Sequence, residues 1–286
     1  MVSIVVVSWN TRELLRKCLE SVSASDAQFP IQTIVIDNAS HDGSAAMVEE
    51  TFPDVVLVQN AENLGYARGN NQGISRASGE YVLTLNPDTE LPTDALRKSV
   101  EILQSNHKFG CLAPRLIGLD RKPQRSIRGF PSILGVFGAL TGLDHLSPEG
   151  PFGSYSLPSF DYASEGPAPQ PMGTYLMFRR SALEAVGDPK RPFDEAFPIF
   201  FNEVDLLYRL HEAGIPCLYT PRIEVLHAHG ASTRQRRKAM VWESHRSLVR
   251  YFRKHLRGLS RAWVPLIAVA ASVAALVRAR GFDDGT

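Results

Sequence analysis

The chain has 286 residues, 44% of them hydrophobic, and a net charge of +1. That is an ordinary globular composition, enough for one large domain or one and a half. Three widely spaced cysteines, Cys18, Cys111 and Cys217, exclude a disulfide framework and a cysteine metal cluster and fit a reducing compartment. Charge is uneven: Arg234 to Arg261 holds ten Lys/Arg against one acid, Glu243, so a +9 segment follows a body of −8.

The opening "VSIVVVS" carries no charged leader region or cleavage site, so no signal peptide is expected. Its β-branched run, Ser3–Ser8, is too short for a helix and predicts a strand buried on both faces. Asn10-Thr11 then precedes "RELLRKCLESV", apolar at helical spacing through Leu14, Leu15, Cys18, Leu19 and Val22. "QTIVIDNAS" and "SAAMVEETF" repeat the strand–helix plan, with Asp37, Asn38, Ser40 and Asp42 at the junction. "VVLVQN" is a third strand, "YARGNNQGISRAS" a loop leading into a helix, "EYVLTLN" a fourth strand and "TDALRKSVEILQSN" its helix. Strands alternating with helices over short connections predict a doubly wound α/β sheet. Such sheets bind ligands beyond the carboxyl ends of their strands. Trp9-Asn10, Asp37, Asn63 and Asp88 all fall there.

Cys111 to about Phe130 suits one or two strands of an edge hairpin, and the Pro/Gly/Ser-rich residues 147–171 form a long loop, a lid or an acceptor-side insertion. "MGTYLMFRR" is a strand, "SALEAVG" and "EVDLLYRLHEAG" are helices closed by Gly187 and Gly214, and "IPCLYTP" and "IEVLHAHG" are two further strands.

Neither a G-x-x-x-x-G-K-[ST] loop nor a G-x-G-x-x-G after the first strand is present, so P-loop and dinucleotide chemistry lack support. The sheet presents acids instead, which suits a divalent metal with a diphosphate. "LNPDTEL" around Asn86-Pro87-Asp88 reads as a turn on its residue types and as an oxygen-ligand site on its position. Glu203 and Asp205 open a helix behind Phe197, Phe200 and Phe201, near Asp194 and Glu195. Helix capping accounts for one such acid, and a base in a partly dry pocket for another. His227 and His229 share a face if their segment is a strand, a pattern for metal ligation or for structural histidines.

The ordered series "VVVSWN", "IDNASHDGS", "NLGYARGNNQGI", "LTLNPDTEL", "MGTYLMFRRSALEAVG", "FDEAFPIFFNEVDLLYRLHEAG" and "VLHAHGAS" resembles the family 2 glycosyltransferases of GT-A fold, especially bacterial rhamnosyltransferases, over about residues 2–255. The resemblance implies a mixed α/β sheet flanked by helices and inverting transfer from a nucleotide-diphosphate sugar, rhamnose being the candidate. It implies that Trp9, with Asn10 beside it, stacks near a pyrimidine base, Asp37 binds that base, Asp42 supports the loop and Arg68 approaches the diphosphate. Asn86 and Asp88 stand at the D-x-D position for Mg²⁺ or Mn²⁺, with an amide replacing the first acid. Glu203 and Asp205 match the acidic base motif, with position favouring Glu203, and His227 matches a metal- or phosphate-proximal histidine.

The implied boundaries are 1–233 for the transferase, split into a nucleotide half 1–110 and an acceptor half 111–233, with 234–286 a basic helix and apolar tail. Arg246, Arg250, Arg253 and Arg257 form one helical stripe; Val241, His245, Leu248 and Phe252 form another. With the 15 largely apolar residues Trp263–Val277, shorter than the ~20 needed to span, this predicts docking on an anionic membrane surface from the cytoplasmic side. The expected acceptor is lipid-linked or a polysaccharide. No nucleic-acid partner is expected, because no recognition motif accompanies the basic residues. The competing readings are a non-catalytic nucleotide-sugar-binding protein and a sugar nucleotidyltransferase, the latter lacking its basic Gly-rich loop.

Overall fold

The computed structural model of the chain describes residues 1–228 and 237–280. Its first third is a run of βα units: β1 (Val2–Ser8), α1 (Arg12–Ser23), β2 (Ile31–Asp37), α2 (Ser44–Thr51), β3 (Val56–Gln59), α3 (Tyr66–Ile74) and β4 (Tyr81–Leu85). β1 pairs in parallel with β2 on one side and β4 on the other, and β2 pairs with β3. Connectivity reverses at β1, so the crevice beyond its carboxyl end is a topological switch point.

β1 is buried on both faces, as its unbroken apolar run requires. Val2, Ile4 and Val6 join the core under α1 and α2, whereas Val5 and Val7 face α3 on the other side. Close approach of α3 depends on two glycines. A Cβ at Gly73 would sit 2.3 Å from Val5, and one at Gly69 would sit 2.8 Å from Val7.

The chain continues through β5 (Thr89–Glu90), α4 (Ala95–Ser105), β6 (Cys111–Ile117), β7 (Ile127–Arg128), α5 (Ile133–Thr141), α6 (Leu143–Leu146), β8 (Gly166–Ala168) and β9 (Gln170–Pro171). It then forms β10 (Tyr175–Arg179), α7 (Arg180–Ala185), α8 (Asn202–Glu212) and β11 (Cys217–His227). The main sheet runs β3-β2-β1-β4-β10-β6-β11-β5, with β8 also on β11. β10 is antiparallel to both β4 and β6, which makes the sheet mixed. The doubly wound GT-A expectation therefore holds.

Three local expectations are corrected. β6 is an interior strand between β10 and β11, not an edge hairpin; only the tight turn bridging Ile117 and Pro123 is hairpin-like. The end of the 147–171 loop carries β8 and β9. The two strands read on either side of Arg222 are one, β11, whose register shifts between Thr220 and Glu224. That irregularity accommodates Pro221, which cannot donate to a regular ladder.

α9 (Arg237–His255), a 3₁₀ segment Gly258–Trp263 and α10 (Val264–Ala279) close the described chain. Tyr251 and Phe252 of α9 and Val264 of α10 are buried in one cluster with Phe197 and Val204. The α9 stripe containing His245 and Phe252 thus faces inward, and Arg246, Arg253 and Arg257 remain exposed.

Candidate active site

The turn after β4 is held by its own backbone. Thr89 Oγ1 donates to the Asn86 carbonyl at 2.7 Å, and Asn86 N–H donates to Thr174 O at 2.9 Å. The turn reading of Asn86-Pro87-Asp88 is correct as geometry. It also aims chemistry: β5 pairs with the end of β11 so that Thr89 lies opposite His227. Asp88 Oδ1 and His227 Nε2 then lie 3.5 Å apart, both residues buried.

Gln124 sets the orientation of that imidazole. Its Nε2 donates to the His227 carbonyl at 3.0 Å, which turns its Oε1 toward His227 Nδ1 at 2.8 Å. A carbonyl oxygen can only accept, so Nδ1 carries a proton and donates it to Gln124, which leaves Nε2 facing Asp88. A ring N–H fixed by an outer partner is the usual support of a metal-ligating histidine. Asp88 Oδ1 is buried and accepts no hydrogen bond among the described residues.

Among the described residues no group of three or more His, Cys, Asp or Glu is arranged to hold a metal. A hard divalent ion that binds through one or two side chains and completes its shell with phosphate oxygens and water fits this donor set. The sequence pairing with His229 lies outside the described residues.

Residues at the other strand ends divide into two kinds. Asp42 accepts from the backbone N–H groups of Arg12 and Ser44, tying the starts of α1 and α2 together; these bonds outweigh burial and hold its pKa low. Asn10, at φ +50, donates its N–H to Ser40 Oγ and accepts from His41 N–H, so the Trp9-Asn10 elbow is locked to the same loop. Asp37 is buried; Oδ2 accepts from Ser40 N–H, while Oδ1 has no partner among the described residues. A buried acceptor without a donor calls for an explanation, and a ligand N–H is one. Arg68 is exposed on α3, where its charge helps hold Glu195 low.

The four acids of "FDEAFPIFFNEVD" separate by partner. Asp194 binds Lys254 at 2.7 Å. Glu195 is held low because hydrogen bonds from Asn71 and Arg191 and the nearby arginines outweigh burial. Asp205 is fully buried and accepts from Arg209 Nε at 2.9 Å, Lys254 Nζ at 2.7 Å and His255 Nε2 at 2.8 Å. Burial opposes its charge, but His255, Arg209 and Lys254 prevail and hold its pKa at about 2. Glu203 alone has no cation among the described residues, and burial pushes it up to about 7. Two positions apart on one helix, Asp205 points into an ion cage and Glu203 points toward Gly173, where an added Cβ would come 3.3 Å from its side chain.

Backbone features bring Glu203 to the sheet. Phe201, immediately before α8, sits at φ +67, a conformation rare for an aromatic residue and characteristic of functional corners. Pro198 O accepts from Tyr66 and Ala67 N–H at 2.6 and 3.1 Å, fastening the segment before α8 to the start of α3. Tyr66 in turn donates to Gly173 O at 3.1 Å. Its hydroxyl is held well above its usual range by burial and by the charges of Glu203 and Asp88. Tyr66 thus senses both carboxylates. Sequence reasoning missed both Tyr66 and Gln124; the first lies inside a quoted motif, and the second carries no local signal.

A carboxylate that exchanges its proton near neutral pH, with a half-buried tyrosine that senses both it and Asp88 of the Asp–His pair, suits a hydroxyl attacking a phosphate-activated carbon. That is the architecture of a GT-A glycosyltransferase. The profile of the glycosyl transferase family 2 matches residues 3–187, and the chain belongs to that family. It is 28% identical over 242 residues to N-acetylglucosaminyl-diphospho-decaprenol L-rhamnosyltransferase of Mycobacterium tuberculosis, covering 80% of this chain and 76% of that one. It is 23% identical over 254 residues to rhamnosyltransferase WbbL of Escherichia coli, covering 85% and 89%. In fold it is similar to the mannosyltransferase PcManGT from Pyrobaculum calidifontis in complex with GDP-Man and Mn²⁺, with a TM-score of 0.58, 20% identity, and coverage of 100% and 76%.

Proposed function

We propose that this glycosyltransferase moves a sugar, rhamnose being the first candidate, from a nucleotide diphosphate to a lipid-linked acceptor with inversion, in cell-envelope glycan synthesis. The observation that carries the reading is Glu203, the one acid of its cluster with no cation beside it among the described residues and a pKa of about 7. Glu203 takes the proton of the acceptor hydroxyl as that oxygen bonds to the anomeric carbon. The bond from that carbon to the diphosphate breaks, and the nucleotide leaves with the electron pair. Asp205 is a positioning residue, since its caged charge cannot accept a proton near neutral pH.

Asp37 Oδ1 accepts from the base of the nucleotide, and Trp9 and Asn10 line its place. Arg68 is assigned to the diphosphate through its position at the start of α3. Asp88, with Asn86 and His227 beside it, holds Mg²⁺ or Mn²⁺, which when bound neutralises the diphosphate. The lipid-linked acceptor draws support from the diphospho-decaprenol substrate in the name of the mycobacterial relative. Exposed Leu134, Phe137 and Leu140 on α5 add apolar surface beside the cluster that α9 and α10 share. Residues 1–233 form the transferase unit, with donor half 1–110 and acceptor half 111–233. Residues 234–286 attach it to the inner face of the cytoplasmic membrane.

A thermal-shift panel of nucleotide sugars with and without Mn²⁺ tests the donor site, because stabilisation follows donor affinity by mass action. A shift with one nucleotide sugar that grows with Mn²⁺, and transfer to a polyprenyl-diphosphate glycan, are expected. Donor binding without transfer to any glycan acceptor would leave a binding protein instead.

A further inference from the structure

α10 is two-faced. Val264, Ala271, Ala275 and Ala279 are buried along one side, small residues that let the helix lie close on α9. Leu266, Val269, Val273, Leu276 and Val277 stand exposed on the other. The segment Gly258–Ala279 contains an 18-residue window of mean hydropathy 1.9 and is long enough to cross a membrane, yet one side is committed to α9. A helix so placed lies in the plane of an interface with its free side in lipid.

Along the seam between α9 and α10 runs a groove of ≈ 380 Å³, lined by Trp242, Arg246, Arg250 and Arg253 from α9 and by Ala271 and Ser272 from α10. The three arginines recur at i, i+4 and i+7, so one edge of α9 presents all of them. Arg250 is paired with Glu243 at 2.5 Å. Arg246 and Arg253 are exposed and have no carboxylate partner among the described residues. The groove therefore offers two uncompensated guanidinium forks immediately beside an exposed apolar helix face. Guanidinium binds phosphate bidentately, and a tryptophan at the rim suits the level of lipid headgroups.

We infer that the α9–α10 groove is a binding site for the phosphate headgroup of an anionic phospholipid, with the acyl chains along the outward side of α10. The site rests on the membrane-attachment reading and adds to it a defined pocket and a headgroup preference. A free phosphate would satisfy the arginines but make no use of the apolar stripe beside them.

The test is co-sedimentation of the full chain with phosphatidylcholine vesicles and with vesicles containing phosphatidylglycerol. R246A/R253A is compared with R257A/R261A, which removes the same charge outside the groove. R246K/R253K keeps the charge without the fork. Binding to the phosphatidylglycerol vesicles is expected to weaken at least tenfold more in R246A/R253A than in R257A/R261A, and to be recovered only in part by R246K/R253K. Equal weakening of the two alanine pairs, or full recovery with lysine, means diffuse attraction and overturns the site. Displacement by inorganic phosphate as efficient as by short-chain phosphatidylglycerol overturns the lipid assignment. If the wild type sediments with neither vesicle, the attachment reading itself fails. Equal sedimentation of the wild type with both vesicle types removes the headgroup site while leaving attachment through α10 intact.

Discussion

Glu203→Gln keeps the size and polarity of the side chain and removes its capacity to accept a proton. General-base assistance is worth about 10²–10⁴-fold, so kcat falls by that factor while donor affinity is unchanged. The environment of Glu203 adds a second signature in stability. Raising its pKa from 4.5 to about 7 penalises the ionised form by about 3 kcal/mol at most, and less to the extent that water screens a partly buried carboxylate. The folded state keeps a proton that the unfolded state releases between pH 4.5 and about 7. Stability therefore declines as pH rises through that window, and the penalty is complete above it. Glutamine has no charge to desolvate, so the variant equals the wild type in acid and exceeds it by up to about 3 kcal/mol near pH 8.

Initial transfer rates across the pH range, with urea unfolding at its two ends, read both effects. The wild-type rate should climb tenfold per pH unit below about 7 and level off above it, and the residual rate of Glu203→Gln should lack that limb. Turnover undiminished in Glu203→Gln refutes the assignment. So does abolition of transfer in a folded Asp205→Asn protein with Glu203 intact. A loss of stability near pH 8 would show that the carboxylate has a favourable partner and that burial does not set its pKa.

Asp205→Asn leaves Arg209, Lys254 and His255 around an uncharged amide and is expected to cost about 3–5 kcal/mol in urea unfolding, with kcat per folded molecule reduced but far less than in Glu203→Gln. Because the Asp205 pKa is depressed from 3.8 to about 2, its stabilisation is complete above 3.8 and disappears as pH falls through about 2. Gln124→Leu frees the His227 ring and should weaken Mn²⁺ binding about 10–100-fold in calorimetric titrations with nucleotide present, with the melting temperature of the metal-free protein little changed. Asn86→Asp restores a second carboxylate beside Asp88 and should lower the Mn²⁺ concentration for half-maximal activity; an unchanged titration would remove Asn86 from the metal site.

The elements most legible in the sequence are those whose neighbours along the chain are also their packing partners. β1, β2 and β4 are continuous apolar runs because both faces are covered, and α1 and α4 carry their apolar stripes at helical spacing. β11 was harder, because Pro221 looks like a break and only the ladder partner reveals that the strand continues past it. The position of β6 depends on β10, more than fifty residues later, entering antiparallel beside it. The same limit applies in the site. Acids at strand ends are visible from local pattern, but the Asp88–His227 contact is created by β5 pairing with β11. Gln124 reaches His227 across 103 residues and Lys254 reaches Asp205 across 49, so no local pattern marks either one. Glu203 and Asp205 differ locally only in Arg209, one turn on from Asp205; the other two cations, Lys254 and His255, come from α9.

Those cations change what the C-terminal segment is. Read along the chain, residues after 233 look like a basic tail added to a finished enzyme. In the fold, α9 supplies Lys254 and His255 to the fully buried Asp205, and Tyr251 packs its ring 4.6 Å from that of His255. The same helix carries Arg246, Arg250 and Arg253 within about two and a half turns before them, in the groove beside α10. A helix is stiff over this distance, so the arginines and the Asp205 cage move as one body. Asp205 sits in the first turn of α8, two residues from Glu203. Under the proposed attachment, whatever holds α9 at a lipid surface would also hold the frame of the proposed base. For the proposed membrane-borne acceptor, orientation at the surface and orientation of the carboxylate would then be set by one element.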